Sequence, residues 1–149
     1  MPSMRLSAFI PALVFLPLAS AFIDGISPFT GTYKADQTTS KFPVTFTTGS
    51  TMVSFFDLTV SFGLSTPAEH TVNNTLGNPV FNVDLLAMKR SSTGPGKFTV
   101  DVPIRSSDLY NGDGAYILTA AILRAAGNQN AYLFRADQFT VVFDATASS

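Results

Sequence analysis

Residues 55–63, FFDLTVSFG, narrow most sharply what this chain can become. Side chains of an extended strand alternate faces with period 2. Phe56, Leu58, Val60 and Phe62 therefore fall on one side, and Phe55, Asp57, Thr59 and Ser61 on the other. One face is apolar and the other mostly polar. A strand of this kind is not stable alone, so its apolar face has to lie on a second apolar layer supplied by other strands.

The pattern recurs along the chain. Phe42, Val44 and Phe46 alternate with Pro43, Thr45 and Thr47, and Phe98, Val100, Val102 and Ile104 alternate with Lys97, Thr99, Asp101 and Pro103. Phe139, Val141 and Phe143 close the series. Pro43 has no N–H for a ladder and belongs at a strand's start or on an outward edge. An edge strand is expected near residues 23–26, a bulged strand over 80–88 and a short one near 70–72. Residues 115–126 (AYILTAAILRAA) carry helix-favouring Ala and Leu, yet Tyr116, Leu118, Ala120 and Ile122 keep a strand's period. Apolar residues on both faces fit a central, doubly covered strand. Residues 131–134 continue that strand or pair back.

Turn chemistry separates these segments at 49–50, at 91–96 (SSTGPG), at 106–114 (SSDLYNGDG) and at 127–130. Residues 27–40 read as loop and turn, and 64–79 as a long connection of the kind that crosses between sheets in a Greek key. Seven or eight short strands with essentially no helix predict an all-β fold, an antiparallel β-sandwich of immunoglobulin or fibronectin III type.

The N-terminus reads as an export signal. Arg5 gives a positive start, residues 6–18 are apolar, and Ala19-Ser20-Ala21 fits the small-x-small rule, so residues 1–21 are expected to be a signal peptide cleaved after Ala21. A membrane anchor is disfavoured because the run is shorter than the roughly 20 residues that span a bilayer and is broken by Pro11 and Pro17. Removing 21 of 149 residues leaves 128, one domain over 22–149 that is expected to be secreted, without membrane insertion. Loss of Arg5 takes the formal charge from −1 to −2, and the absence of a basic run argues against nucleic acid. There is no cysteine, unusual for a small exported domain, so a core holding 12 of the 14 phenylalanines has to suffice. A fold without disulfides also survives transfer into a reducing compartment such as another cell's cytosol.

Catalytic chemistry is sparse. One histidine and no cysteine exclude Cys-His dyads and multi-His zinc sites. His70 follows Glu69 in a polar loop without any glycine-flanked serine elbow, and reads as an exposed loop histidine. Asp57 and Asp101 read as aspartates on solvated strand faces that discourage edge pairing, not as a glycosidase pair. Asp108, Asn111 and Asp113 lack EF-hand spacing and read as turn residues. No catalytic residue, metal or cofactor is expected. Asn73-Asn74-Thr75 is a glycosylation sequon at Asn73. Tyr33, Tyr110 and Tyr132 lie apart in sequence, without the aromatic stripe of a sugar platform.

Three stretches together carry a resemblance. DLTVSFGLSTPAEH (57–70), the following Thr75-Leu76-Gly77, and the pair KFTVDVPI (97–104) with YILTAAILRAAGNQN (116–130) resemble the Nis1 family of fungal secreted effectors, over residues 22–144. The resemblance implies a non-catalytic effector that occupies a host plant receptor-associated kinase, suppressing pattern-triggered immunity or inducing cell death, outside the host cell or within it. The family carries cysteines that this chain lacks, and the resemblance fixes no contact residue. The length and polarity of loops 66–78 and 106–114 make them the expected contact surface of a monomer. The alternative, from a different class, is a structural wall protein that binds polysaccharide.

Overall fold

Alternation places most of the strands correctly. The computed structural model describes residues 20–148 apart from 52–53, 72–74, 92–94 and 129–130. Its strands are β1 (Ser20–Ile26), β2 (Thr32–Ala35), β3 (Lys41–Thr51), β4 (Ser54–Ser65), β5 (Asn78–Asp84), β6 (Gly96–Pro103), β7 (Gly114–Asn128) and β8 (Ala131–Ala147). One sheet has the order β1-β3-β6 and the other β2-β8-β7-β4-β5. The described residues contain one 3₁₀ turn, Ser106–Asp108, and no helix long and apolar enough to cross a membrane. The fold is all-β, in two sheets that share one core.

β1 lies at a sheet edge, as expected, and begins at Ser20, two residues ahead of the expected cleavage point. Residues 1–19 of the expected signal peptide lie outside the described residues, as does Asn73. Pro43 is the third residue of β3 and faces Asp101 of β6. On its other side β1 pairs no further than Phe46, with one more bond from the Ser27 N–H to the Thr45 carbonyl, so the missing N–H of Pro43 breaks no ladder there.

Four expectations are corrected. β2 arises inside the stretch read as loop; its four residues are too few to show a period, and it pairs parallel to β8, so the large sheet is mixed. The connection after β4 does not cross between sheets, because β5 returns beside β4 as its antiparallel neighbour. It folds over β4 so closely that a Cβ at Gly63 would meet the Leu76 carbonyl, and Gly77 sits at φ +93° in the left-handed region. His70 and Thr71 form no strand; the chain turns there, with the Glu69 and His70 N–H groups both donating to the Thr66 carbonyl. The strand expected over 80–88 ends at Asp84, and residues 85–89 form a turn that stays bonded to β4, with the Leu85 N–H donating to the Leu58 carbonyl. Its expected bulge is present: Val80 is the extra residue between the pairs Phe62–Phe81 and Gly63–Pro79.

β7 is a strand between β8 and β4, where ladder partners on both sides outweigh its helix-favouring composition. Tyr116, Leu118, Ala120 and Ile122 are buried in the core. Cover on the reverse face reaches Ile117 and Thr119 but not Leu123, which is exposed. Phenylalanines tie the sheets together: Phe42 of β3 meets Phe143 of β8 at 4.3 Å between ring centroids, and Phe46 meets Phe62 of β4 at 6.2 Å. Tyr33 donates to the Ile104 carbonyl at 2.7 Å, fixing β2 to the end of β6.

Candidate functional site

The organising strand does not keep one phase. Asp57 pairs with Arg124 and Thr59 with Leu123, which leaves Leu58 as an extra residue in β4. A one-residue insertion sends side chains on its two sides to opposite faces. Val60 and Phe62 stay in the core, but Phe56 turns outward and Asp57 turns inward, 1 % exposed. This corrects the solvated-face reading of Asp57. Asp101 remains exposed, on β6 of the other sheet, so the two aspartates do not form a pair.

Inside, Asp57 belongs to an ionic lock. Arg124 Nε lies 2.8 Å from Asp57 Oδ1, an ion contact without hydrogen-bond alignment. Arg124 Nη1 donates to Asp137 Oδ2 at 2.9 Å, and Nη2 donates to the Ile23 carbonyl at 2.8 Å. The Ile23 N–H in turn donates to Asp57 Oδ2 at 2.7 Å. Both backbone groups of one β1 residue are thus held by side chains of the other sheet. The guanidinium also lies against the stacked rings of Phe22 and Phe55, 5.8 and 5.7 Å from their centroids. Burial pushes the Asp57 carboxyl up, while the Ile23 N–H and the arginine oppose that shift.

Beyond the lock, β7 and β8 run on as an arm whose third strand is the start of β4, paired with β7 as far as Ser54 opposite Gly127. Phe56, Ala125 and Phe134 stand in one cross-strand row, with Leu123 opposite Ala136 and Gly127 opposite Tyr132. These positions share the outer face of the sheet. Phe134 is 74 % exposed, and Phe56, Leu123 and Tyr132 are exposed beside it. The Phe56 and Tyr132 rings are 5.8 Å apart. A contiguous apolar face of this kind is a candidate contact surface. It also gathers aromatic residues that are scattered in the sequence. On the inner face Leu133 is 75 % exposed, and the edge of β8 away from β7 is paired only at residues 144–147, by β2, among the described residues.

The two loops expected to make contact meet at the opposite end of the sheet. Tyr110 accepts from the Thr66 N–H at 3.0 Å and donates to Glu69 Oε1 at 2.7 Å, and the Thr66 hydroxyl donates to the same carboxylate. The polar groups of Thr66, Glu69 and Tyr110 thus engage one another. Asp108 accepts from the Arg105 N–H and Asp113 from the Ala147 N–H, which is turn and chain-end chemistry. His70 is half-buried, not exposed, and its Nδ1 is buried without a partner. Among the described residues no cluster of His, Asp or Glu is arranged to hold a metal.

The loop carboxylates give the fold an acid limit. The Thr39 hydroxyl and the N–H groups of Thr39, Ser40 and Thr38 hold the Asp36 carboxyl far below its ordinary value of 3.8, and bonds from Tyr110 and Thr66 lower Glu69. A lowered folded-state pKa contributes stability above the ordinary value that is lost as pH falls through the folded one. Thermal unfolding should therefore move to lower temperature as pH falls below about 4, and Asp36→Asn should flatten part of that fall.

Strand alternation alone reveals neither the arm nor the lock, although Arg124 inside an apolar run is a signal, since a buried cation needs partners. No curated protein matches the chain in sequence. The profile described as the Nis1 family matches residues 19–141, from the start of β1 well into β8. The chain belongs to the Nis1 family.

Proposed function

We propose that this protein is a secreted fungal effector that binds a host plant receptor-associated kinase and dampens pattern-triggered immunity or induces cell death, without catalysis of its own. Family membership supports the effector class. The observation that carries a binding role is the exposed apolar outer face of the arm, Phe56, Leu123, Tyr132 and Phe134. Exposed aromatic anchors over a rigid sheet are what protein contacts use. We assign the host contact to this face and not to the loop end, where Glu69, Tyr110 and Thr66 are already engaged with one another. The immunoglobulin-like sandwich belongs to the same reading, supported by the ring contacts between the sheets. Site of action outside the host cell or after uptake is compatible with a core that uses no disulfide.

Expression of the chain in leaf tissue tests this reading. A flagellin-triggered oxidative burst well below that seen with an unrelated secreted all-β protein, or cell death, is the expected outcome. An unaltered burst and healthy tissue from accumulated, folded protein would contradict it and favour the wall-binding alternative, which pull-down on chitin, glucan and pectin would then register.

A further inference from the structure

The edge of β8 is a second feature of the arm, distinct from its outer face. Residues 131–143 pair with β7 on one side, and no strand pairs with the other side among the described residues. Unpaired N–H and C=O groups along a long edge are a template for another strand, and proteins blunt such edges with charge or proline. No proline occurs in residues 131–143, and the edge carries one residue of each charge, Arg135 and Asp137. Both lie on the inner face, two residues apart, where Arg135 Nη2 donates to Asp137 Oδ1 at 3.0 Å within the chain and the Arg135 side chain stays half exposed.

That spacing makes the edge complementary to itself. We infer that two copies of this chain pair antiparallel along β8, with the two-fold axis at Ala136. In that register Arg135 of each copy stands opposite Asp137 of the other, Leu133 opposite Phe139, and Ala136 opposite itself. Shifting the axis to residue 137 opposes two aspartates, and shifting it to 135 opposes two arginines. Opposite charges directly across a pair are stabilising and like charges destabilising, so the charges select the register. The free edge reaches Val141, the partner of Ala131 in this register, before β2 closes it at Asp144. Leu133, 75 % exposed, gains an apolar partner. The interface is isologous and closes on itself, which limits the assembly to a dimer. Edge pairing leaves the outer face uncovered and joins the two apolar faces into one continuous sheet. The inference goes beyond the proposed host contact and replaces the expectation of a monomer.

The experiment uses the full chain expressed in a secreting yeast and purified as processed. Sedimentation equilibrium through a concentration series should give twice the monomer mass. Arg135→Glu should sediment as a monomer, with an unchanged circular dichroism spectrum as the check on folding: the acid then faces Asp137 of the other copy, while within one chain it gives up an exposed contact with Asp137 and stands opposite Arg124. Since the chain has no cysteine, a cross-link reports the register directly. Directly opposed Cα atoms lie about 4.5–5.5 Å apart, inside disulfide range, so Ala136→Cys should oxidise to a covalent dimer. Gln138→Cys, offset from its own copy by about 14 Å, should not. Monomer mass throughout the series, or cross-linking of Ala136→Cys no greater than that of Gln138→Cys, would overturn the inference. Neither readout depends on a host protein, so failure here is separable from failure of the effector reading.

Discussion

Replacing Arg124 by methionine is expected to lower the unfolding free energy by about 3–5 kcal/mol, because it leaves Asp57 a buried charge without a counter-ion. The variant also carries a pH signature. Burial already holds the Asp57 carboxyl above its ordinary 3.8, and without the arginine less opposes that shift. A carboxyl whose folded value is raised contributes stability that is present below the ordinary value and lost as pH rises through the folded one. The deficit of Arg124→Met should therefore be small in acid and widen towards neutrality. Urea denaturation at a series of pH values measures this. A deficit under about 1 kcal/mol at neutral pH, or one independent of pH, would mean that the lock does not hold β1 as described.

Phe42→Ala is expected to cost a further 3–5 kcal/mol, about the top of the range for a truncated core residue. Phe42 is fully buried, and its ring meets Phe29, Tyr33 and Phe143 at 4.6, 5.2 and 4.3 Å, so the cavity would open between the two sheets. No disulfide is present to limit the damage. Differential scanning calorimetry should show the midpoint fall by roughly 10–20 °C. Phe134→Ala is the matched control, since an exposed ring on the arm should change stability by no more than about 0.5 kcal/mol.

The contrast between Phe42 and Phe134 also shows what was legible in the sequence. Period-2 alternation located β3, β4, β6 and the end of β8, and identified the core positions Phe42, Phe46, Val60, Phe62, Val100 and Val102. It failed at Leu58 because a bulge is a property of the strand pair: nothing within FFDLTVSFG says that β7 offers one residue fewer. Asp57 and Phe56 were therefore assigned to the wrong faces. It failed at β2 because four residues carry too little period, and partnership with β8 is a long-range contact. The arm was hidden for a related reason. Phe56, Leu123, Tyr132 and Phe134 come from three strands, and pairing alone assembles them into a surface. Loops 66–78 and 106–114 stand out in the sequence by length and polarity, but the bonds through Tyr110 that join them depend on packing and are not visible there.

Calorimetric titration of the purified protein against the kinase domain of a plant receptor-associated kinase tests the central claim most directly, with the wild-type chain beside the double variant Leu123→Glu/Phe134→Glu. The account predicts saturable binding by the wild type and at least about 30-fold weaker binding by the variant, the loss of about 2 kcal/mol that marks a contact anchor. Equal affinity of the two proteins would contradict it.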